Sequence, residues 1–371
     1  MFNEIKGKYG FGCMRLPMSG EEIDYATMKK MADAFFTSGF NYVDTARVYH
    51  DGASELAIKE CITSRYKRDT YLIADKLTSS LFNQESDIRP FFMSQLKALG
   101  VNYLDFYLMH AQAKENYAKF QDCHAYEIAQ QLKKEGLVKH VGFSFHDTPE
   151  FLDKILTDHP EVEFVQLQFN YLDYDNPDVQ SKACYDVCVK HHKPVIVMEP
   201  VRGGALVDVG QEAMSHIKKI GKGSMASFAM RFAASFPNVF MVLSGVSNYE
   251  QMADNINTMK NFVPLTIAEQ NILLEAKDII IKLNKIPCTA CHYCTAGCPM
   301  GIKIPELFNC MNLIKVYHDD WTGNMTFTDL TKEGGLPSSC IECGQCESVC
   351  PQHLKIIALL KDVAQQFEHK E

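Results

Sequence analysis

Two runs of cysteine near the C-terminus constrain the fold of this 371-residue chain more than any other feature. Each run has the form C-x2-C-x2-C-x3-C-P, and each cysteine of the second lies 52 residues after its counterpart in the first. The Ile-Lys-Ile segment at 302–304 is echoed by Leu-Lys-Ile at 354–356. The tail is therefore an internal duplication of one supersecondary unit. The runs comprise Cys288, Cys291, Cys294, Cys298 and Pro299, and Cys340, Cys343, Cys346, Cys350 and Pro351.

The spacing within each run suits an iron–sulfur cluster. Cysteines at positions i, i+3 and i+6 of a looped backbone can direct three thiolates at three corners of one iron–sulfur cube. Structural zinc needs only four ligands, usually as two C-x2-C pairs, so these runs exceed its requirement. The tail resembles bacterial-type 4Fe–4S ferredoxin domains, in which the fourth cysteine of each run ligates the other cluster. The resemblance implies two clusters, one held by Cys288, Cys291, Cys294 and Cys350 and the other by Cys340, Cys343, Cys346 and Cys298.

Composition and charge argue against several other classes of protein. The formal net charge is -9, so a nucleic-acid interface is not expected. The sequence has no stretch of 18 apolar residues, no polybasic cluster beside an apolar helix and no apolar signal core at its N-terminus. We therefore expect a cytoplasmic protein without a membrane partner. The cysteines outside the two runs are expected to be buried thiols, because cytosolic cysteines seldom form disulfides.

Residues 10–260 alternate apolar strand signals with amphipathic helical patterns. Eight βα units in about 250 residues match the size of a (β/α)8 barrel. A doubly wound open sheet is the alternative, but its G-x-G-x-x-G turn has only GFG at 10–12 as a near match. The predicted strands span 10–17, 40–46, 70–77, 104–111, 140–145, 163–170, 193–200 and 239–246.

We therefore predict an α/β protein with a TIM barrel over residues 1–262, followed over 263–371 by a helical linker and a small ferredoxin-like domain. A long helix pattern at 266–285 opens the second part. A helical segment and a stretch around 320–338 rich in glycine, threonine and asparagine separate the two cysteine runs. No helix is predicted for that stretch.

Four polar residues lie where a barrel of this kind carries its chemistry, at the carboxyl ends of the strands. Asp44 ends the second strand, Lys76 the third and His110 the fourth, and Tyr49 follows in the loop after Asp44. Charged side chains there are costly to bury unpaired, so we expect Asp44 to pair with Lys76 and Lys76 to approach the Tyr49 hydroxyl. The ammonium is expected to lower the pKa of Tyr49, and His110 to orient a carbonyl or assist proton transfer. Each residue alone has a structural explanation, but together they indicate a catalytic site.

Several stretches of the barrel region are similar to the aldo-keto reductases. They are GFGCMRLP at 10–17, DTARVYHDGASE at 44–55, HVGFSFH at 140–146, VQLQFN at 165–170, EPVRGGAL at 199–206 and SGVSNYEQMADNI at 244–256. The resemblance implies a barrel enzyme that reduces aldehydes and ketones by direct hydride transfer from a nicotinamide cofactor. It places the family's catalytic tetrad on Asp44, Tyr49, Lys76 and His110, with the tyrosine as general acid.

The same resemblance implies which residues contact the cofactor. Ser144 and Gln166 correspond to the residues that hydrogen-bond the nicotinamide carboxamide. Met198 replaces a stacking tyrosine of many relatives, and Ser247 replaces an arginine of many NADPH-preferring ones, so NAD and NADP both remain alternatives. The other implied positions are Gly12, Met14 and Asp44 beside the cofactor, Pro200, Arg202 and Gly203 along the pyrophosphate, and Gln251 and Asn255 near the adenosine.

The combination of barrel and tail resembles a subgroup of aldo-keto reductases with C-terminal ferredoxin-like extensions. Nicotinamide delivers two electrons as hydride, whereas each cluster moves one electron at a time. One hypothesis is a working carbonyl oxidoreductase whose clusters exchange electrons with a redox partner such as a ferredoxin. Another is that the clusters are structural and the extension shapes the substrate pocket or docks a partner. A third is a barrel that only binds nicotinamide, as a redox sensor.

Overall fold

The computed structural model describes residues 2–283, 286–317 and 320–368. The chain forms two compact units, one of Met1–Pro200 with Ser227–Leu265 and one of Val201–Ala226 with Thr266–Glu371. The predicted division after residue 262 lies close to the later junction, but it does not anticipate that residues 201–226 group with the C-terminal part. No helix in the described ranges is long and apolar enough to cross a membrane.

The first unit is a closed barrel of eight parallel strands, which confirms the predicted TIM-barrel fold. A two-stranded hairpin that was not predicted, β2 (Met18–Ser19) and β3 (Glu22–Ile23), follows the first barrel strand. The barrel strands are β1 (Tyr9–Gly12), β4 (Tyr42–Asp44), β5 (Leu72–Leu77), β6 (Leu104–Gln112), β7 (Val138–Phe145), β8 (Phe164–Gln168), β9 (Val195–Met198) and β10 (Val239–Gly245). They close in the order β1-β10-β9-β8-β7-β6-β5-β4.

Helices connect successive strands and cover the barrel. In α3, Gln84 and Asp87 form a capping box at the start, and Gly100 with a φ of 67° ends the helix. Its buried apolar side chains recur every three or four residues, as an amphipathic helix requires. The helices are α1 (Tyr25–Thr37), α2 (Ala53–Ile58), α3 (Glu85–Leu99), α4 (Lys114–Asp122), α5 (Ala125–Lys134), α6 (Pro149–Asp158), α7 (Ser181–Lys190), α8 (Gln211–Ile217, in the second unit), α9 (Met225–Ala234) and α10 (Tyr249–Lys260).

A fully buried carboxylate links the two strands that carry Lys76 and His110. Asp105 lies near the start of β6, where its Oδ2 accepts hydrogen bonds from the Ile73 amide of β5 at 2.9 Å and from the Arg68 guanidinium at 2.7 Å. Because Ile73 belongs to β5, its bond to Asp105 joins β5 to β6 in addition to the regular backbone ladder between the two strands.

The second unit is helical. Its apolar core contains Leu307, Phe308 and Leu360, and two cysteines of the runs, Cys294 and Cys346, belong to the same core. Besides α8, its helices are α11 (Ile267–Lys282), α12 (Tyr293–Ala296), α13 (Ile304–Tyr317), α14 (Asp320–Glu333), α15 (Gln345–Ser348) and α16 (Ile356–Phe367).

The backbone of the second unit repeats with the same period as its sequence. Helices α15 and α16 begin 52 residues after α12 and α13. Left-handed φ values also recur at that offset. Most of them fall on residues other than glycine, for which this conformation is unfavourable, so the surrounding structure must maintain these turns. These pairs are Ala290 (50°) and Glu342 (56°), His292 (63°) and Gly344 (76°), and Gly301 (62°) and His353 (50°).

Helix α14 forms where no helix was predicted. Its glycine and threonine content gives it weak intrinsic helix propensity, but it packs against α13. A Cβ added at Gly323 would lie 2.8 Å from Ile314 Cγ1 and 3.2 Å from the Cys310 carbonyl oxygen. The glycine therefore permits a close approach between the two helices, and tertiary packing overrides local preference.

We expect Asp105→Asn to lower the free energy of unfolding by roughly 2 to 4 kcal/mol, because it breaks a buried, charge-assisted contact. Urea unfolding of the purified protein measures this change. The control is Glu60→Gln, which removes the exposed Lys29–Glu60 pair and should cost less than about 1 kcal/mol. Equal effects of the two substitutions would contradict the role given to Asp105.

Candidate active site and metal centre

The structure brings the four predicted catalytic residues together at one end of the barrel. The Lys76 Nζ lies 2.6 Å from Asp44 Oδ1 and 3.2 Å from the Tyr49 hydroxyl oxygen. The rings of Tyr49 and His110 meet edge to face, with centroids 6.1 Å apart. All four side chains are buried.

Lys76 is held by three acceptors, which equals the number of N–H bonds on an ammonium. The third is the Thr45 backbone carbonyl, at 2.7 Å. Since the Tyr49 oxygen accepts from Lys76, its own proton is left to donate elsewhere. Tyr49 opens a short 3-10 turn whose next two residues, His50 and Asp51, have left-handed φ values of 50° and 51°. The tyrosine is therefore presented by a strained turn of a kind common at functional sites.

Two further residues support the tetrad and were not predicted from the sequence. Thr78 Oγ1 forms a hydrogen bond of 2.7 Å with His110 Nδ1, and Gln95 Nε2 donates to the Lys76 carbonyl at 3.0 Å. The sequence does contain features that could have identified both residues. Thr78 lies two residues after Lys76 and so on the same side of an extended chain, and Gln95 is a polar residue on the apolar face of α3.

The expected lowering of the tyrosine pKa is wrong. Burial raises the pKa of Tyr49 well above its ordinary value, and the negative charges of Asp44, Asp75 and Glu199 raise it further. The physical reason is that the Lys76 charge is already matched by Asp44, so it does not offset desolvation of a phenolate. Tyr49 is therefore a protonated phenol.

His110 is a neutral imidazole. Burial lowers the pKa of its ring well below 6.5, and the positive charge of Lys76 adds to the effect. Burial likewise raises the pKa of Asp44, although Lys76 opposes that shift.

Three of the predicted nicotinamide contacts lie on neighbouring strands. Ser144 and Gln166 are paired in the ladder of β7 and β8, and Met198 is paired with Gln168 at the end of β9. The Ser144 hydroxyl accepts a hydrogen bond of 2.7 Å from the Ala111 amide, which leaves its proton free to donate. Gln166 Nε2 lies 3.4 Å from the Met198 sulfur, and its buried Oε1 has no hydrogen-bond partner among the described residues.

The positions predicted at the adenosine end have different surroundings. Ser247 and Gln251 lie in an exposed segment, where the Ser247 amide donates to Gln251 Oε1 at 2.8 Å. Asn255 is buried and donates to the Ser244 hydroxyl at 3.0 Å, so its side chain is used inside the first unit.

The remaining predicted contacts of the first unit lie on or beside the barrel strands. At Gly12, a Cβ would lie 3.3 Å from the backbone of Ser244 and Gly245, so the close approach of β1 and β10 explains this glycine. Met14 is half-buried and Pro200 is buried.

Arg202 and Gly203 belong to the second unit, and their place along the pyrophosphate stays a prediction. Arg202 is 1% exposed, and its guanidinium donates to the Pro287 carbonyl and the Gln352 side chain. These partners of the side chain were not predicted from the sequence.

The structure gathers the cysteines into two sets, each drawn from both runs. The pKa of the Cys294 thiol is raised to about 12, chiefly by burial and also by proximity to Cys291, Cys288 and Cys350. Burial similarly raises the pKa of Cys288 to about 11, with Cys291 and Cys350 contributing and Arg202 opposing. The first set is therefore Cys288, Cys291, Cys294 and Cys350.

The other four cysteines line one small cavity. Its walls include Ile302, Ile304 and Leu360, which make it largely apolar. Cys343 is exposed, so this cavity approaches the surface of the second unit. The second set comprises Cys298, Cys340, Cys343 and Cys346.

The donor set has the chemistry that an iron–sulfur cluster requires. All 14 cysteines are free of disulfides. Among the described residues, no three His, Cys, Asp or Glu side chains converge on one point as a single metal ion would need. A cubane cluster instead places each thiolate on a separate iron, so its ligands surround a cavity. The second set, which lines one cavity, fits that arrangement, and the first set has the same composition of three cysteines from one run and one from the other.

Sequence comparison assigns both parts of the chain to families. Residues 8–278 match the aldo/keto reductase family, and residues 287–354 match the 4Fe-4S dicluster domain.

Curated relatives match over the barrel. An uncharacterized oxidoreductase of Schizosaccharomyces pombe is 25% identical over 267 residues, which cover 68% of this chain and 81% of the relative. The NADH-specific methylglyoxal reductase of Escherichia coli is 21% identical over 282 residues, covering 65% and 85%.

Solved structures share the fold. An aldo-keto reductase from Bacillus halodurans in its holo form superposes with a TM-score of 0.60 at 20% identity, covering 72% of this chain and 91% of that one. An aldo-keto reductase from Klebsiella pneumoniae in complex with NADPH gives a TM-score of 0.59 at 18% identity, covering 72% and 89%. The chain thus belongs to the aldo/keto reductase family of NAD(P)-dependent oxidoreductases and carries a C-terminal 4Fe-4S dicluster domain.

Proposed function

We propose that the barrel transfers hydride between NAD(P)H and the carbonyl group of a small molecule, with Tyr49 as the acid. We further propose that the second unit binds two 4Fe–4S clusters, which exchange electrons with a redox partner such as a ferredoxin. The observation that carries the first proposal is the phenol of Tyr49 bonded to the fully buried ammonium of Lys76. We also propose that the protein is cytoplasmic, because its cysteines form no disulfides and cytosolic thiols stay reduced.

In this mechanism Tyr49 supplies the proton and Lys76 stabilises the charge left behind. When bound, reduced nicotinamide is a two-electron hydride donor to the carbonyl carbon. The carbonyl oxygen takes the Tyr49 proton, so the phenol O–H bond breaks as the alcohol O–H bond forms, and the C–H bond of the alcohol replaces that of the hydride donor. The resulting phenolate lies 3.2 Å from the Lys76 ammonium, which favours it electrostatically. In the proposed tautomer Thr78 donates to Nδ1, so that neutral His110 carries its proton on Nε2 and can donate it to the carbonyl oxygen.

Ser144 and Gln166 support the nicotinamide part of the proposal. A carboxamide has one acceptor oxygen and an NH2 donor. The Ser144 hydroxyl has a proton to donate, and the buried Gln166 Oε1 lacks a partner among the described residues. A relative specific for NADH and a structure in complex with NADPH support testing both coenzymes.

Exposure at the second cysteine set supports exchange of electrons with a partner. Cys343 is exposed, and Ile341 between the first two cysteines of that run is 60% exposed. Apolar surface beside a cluster suits a transient protein contact. A second candidate role, in which the clusters are structural, is favoured by the position of Cys294 and Cys346 in the apolar core.

Tyr49→Phe should lower kcat/KM for carbonyl reduction by about 10²- to 10⁴-fold, because the acid is lost. Binding of NAD(P)H should change little. Steady-state rates on a panel of aldehydes, ketones and dicarbonyls, with NADH and NADPH, measure the first effect, and coenzyme fluorescence titration measures the second.

Tyr171→Phe is the matched control, because the Tyr171 phenol is also buried but its hydroxyl has no hydrogen-bond partner among the described residues. It should keep near wild-type rates. A wild-type protein that binds coenzyme tightly yet turns over no carbonyl would favour the redox-sensor hypothesis instead.

His110 should stay neutral as the pH falls from 8 to below 6, because its pKa is lowered well below 6.5. His124 is exposed and its pKa is raised by Glu85, so its ring should gain a proton at higher pH than an ordinary histidine. NMR titration of isotope-labelled histidine compares the pH at which the His110 and His124 rings gain a proton. The His110→Asn variant identifies the His110 signal. A His110 ring that becomes charged above pH 6.5 would contradict its proposed role.

Anaerobically purified protein should contain about eight iron and eight sulfide per chain, as two 4Fe–4S clusters require. Cys291→Ser should lower both toward about four, while Cys310→Ala, a buried thiol outside the runs, should leave them unchanged. If the clusters exchange electrons with a partner, reduced ferredoxin should bleach their absorption within seconds. Loading without any such bleaching would favour the structural role.

A further inference from the structure

Arg202 is buried in the second unit and held in one position. The residue has a left-handed φ of 49°, a conformation that surrounding contacts must maintain. Its Nη1 donates to the Pro287 carbonyl at 2.9 Å, and its Nη2 donates to Gln352 Oε1 at 2.8 Å. One planar guanidinium therefore joins two loops that lie far apart in the sequence.

The two partners of Arg202 flank the same cysteine set. Pro287 directly precedes Cys288, and Gln352 follows Cys350 by two residues. Both cysteines belong to the first set, although they come from different runs.

Among the described residues no arginine makes the equivalent contact at the second set, because the duplication is broken at the corresponding positions. Ser339 is the counterpart of Pro287, and its hydroxyl donates to the Leu336 carbonyl at 2.6 Å. Met300 is the counterpart of Gln352 and is exposed. A positive charge near the second set is that of Lys361, which is exposed and paired with Glu342 at 2.8 Å.

Reduction of a cluster adds one negative charge to a site made of four thiolates. An arginine stays protonated in proteins, and its charge acts more strongly in a buried site than through water. We propose that Arg202 is a positioning residue that fixes both ends of the first cysteine set and raises the reduction potential of the cluster it holds. This inference rests on the proposed two-cluster function.

Removing the charge should make the first cluster harder to reduce. In a redox titration of the loaded full-length protein followed by EPR, Arg202→Gln should lower the reduced-to-oxidised ratio of one cluster at least tenfold at a fixed potential. For one electron this corresponds to about 59 mV. The affected cluster should be the one that is missing in Cys291→Ser, and the other should keep its potential.

Gln352→Glu provides a second route to the same result. The substitution is nearly isosteric and keeps an acceptor for Arg202, but it adds a negative charge beside the guanidinium. It should lower the reduction potential of the same cluster. If the Arg202→Gln protein does not bind iron, this variant alone tests the role of Arg202. Arg202→Lys keeps the charge and should keep the ratio within about threefold of wild type.

Lys361→Gln is the matched control, because it removes one positive charge at the second set, where solvent screens it. Both clusters should keep their potentials in this variant. Loaded Gln352→Glu protein with wild-type potentials, or an equal shift of both clusters, would overturn the role of Arg202. A wild-type chain that binds no iron would instead overturn the proposed cofactors.

Discussion

One buried ammonium organises the active end of the barrel. Lys76 is fully buried, and an unpaired charge there would cost several kcal/mol. Asp44, the Thr45 carbonyl and the Tyr49 hydroxyl meet this demand together, because β4 and β5 are adjacent and in register. The same contacts aim the phenol and leave its proton available. Stability and chemistry thus depend on one set of hydrogen bonds, and Asp105 and Gln95 secure the strand that carries it.

The second unit faces the opposite problem, since its core contains thiols that burial keeps protonated. The raised pKa values of Cys288 and Cys294 mean that forming thiolates there is unfavourable unless iron compensates the charge. If the clusters bind as proposed, their binding and the folding of this unit are linked. Under the proposed function the barrel would handle electron pairs and the clusters single electrons, each in its own compact unit.

Much of this organisation can be predicted from sequence for identifiable reasons. Buried parallel strands appear as apolar runs, and residues at their carboxyl ends point to the site, which is how Asp44 and Lys76 were found. Features that depend on tertiary packing were not predicted. Helix α14 forms because Gly323 permits close contact with α13, the Tyr49 pKa follows burial more than its ammonium neighbour, and the Arg202 side chain has partners that a motif cannot specify.

The interleaving of the two cysteine sets also affects how the two loops are held together. Each loop gives three thiols to one set and its fourth thiol to the other, as Cys298 and Cys350 illustrate. If both proposed clusters are bound, each loop is anchored at two points, and loss of one cluster leaves both loops tied to the other through at least one cysteine. A pair of self-contained loops would not be cross-linked in this way.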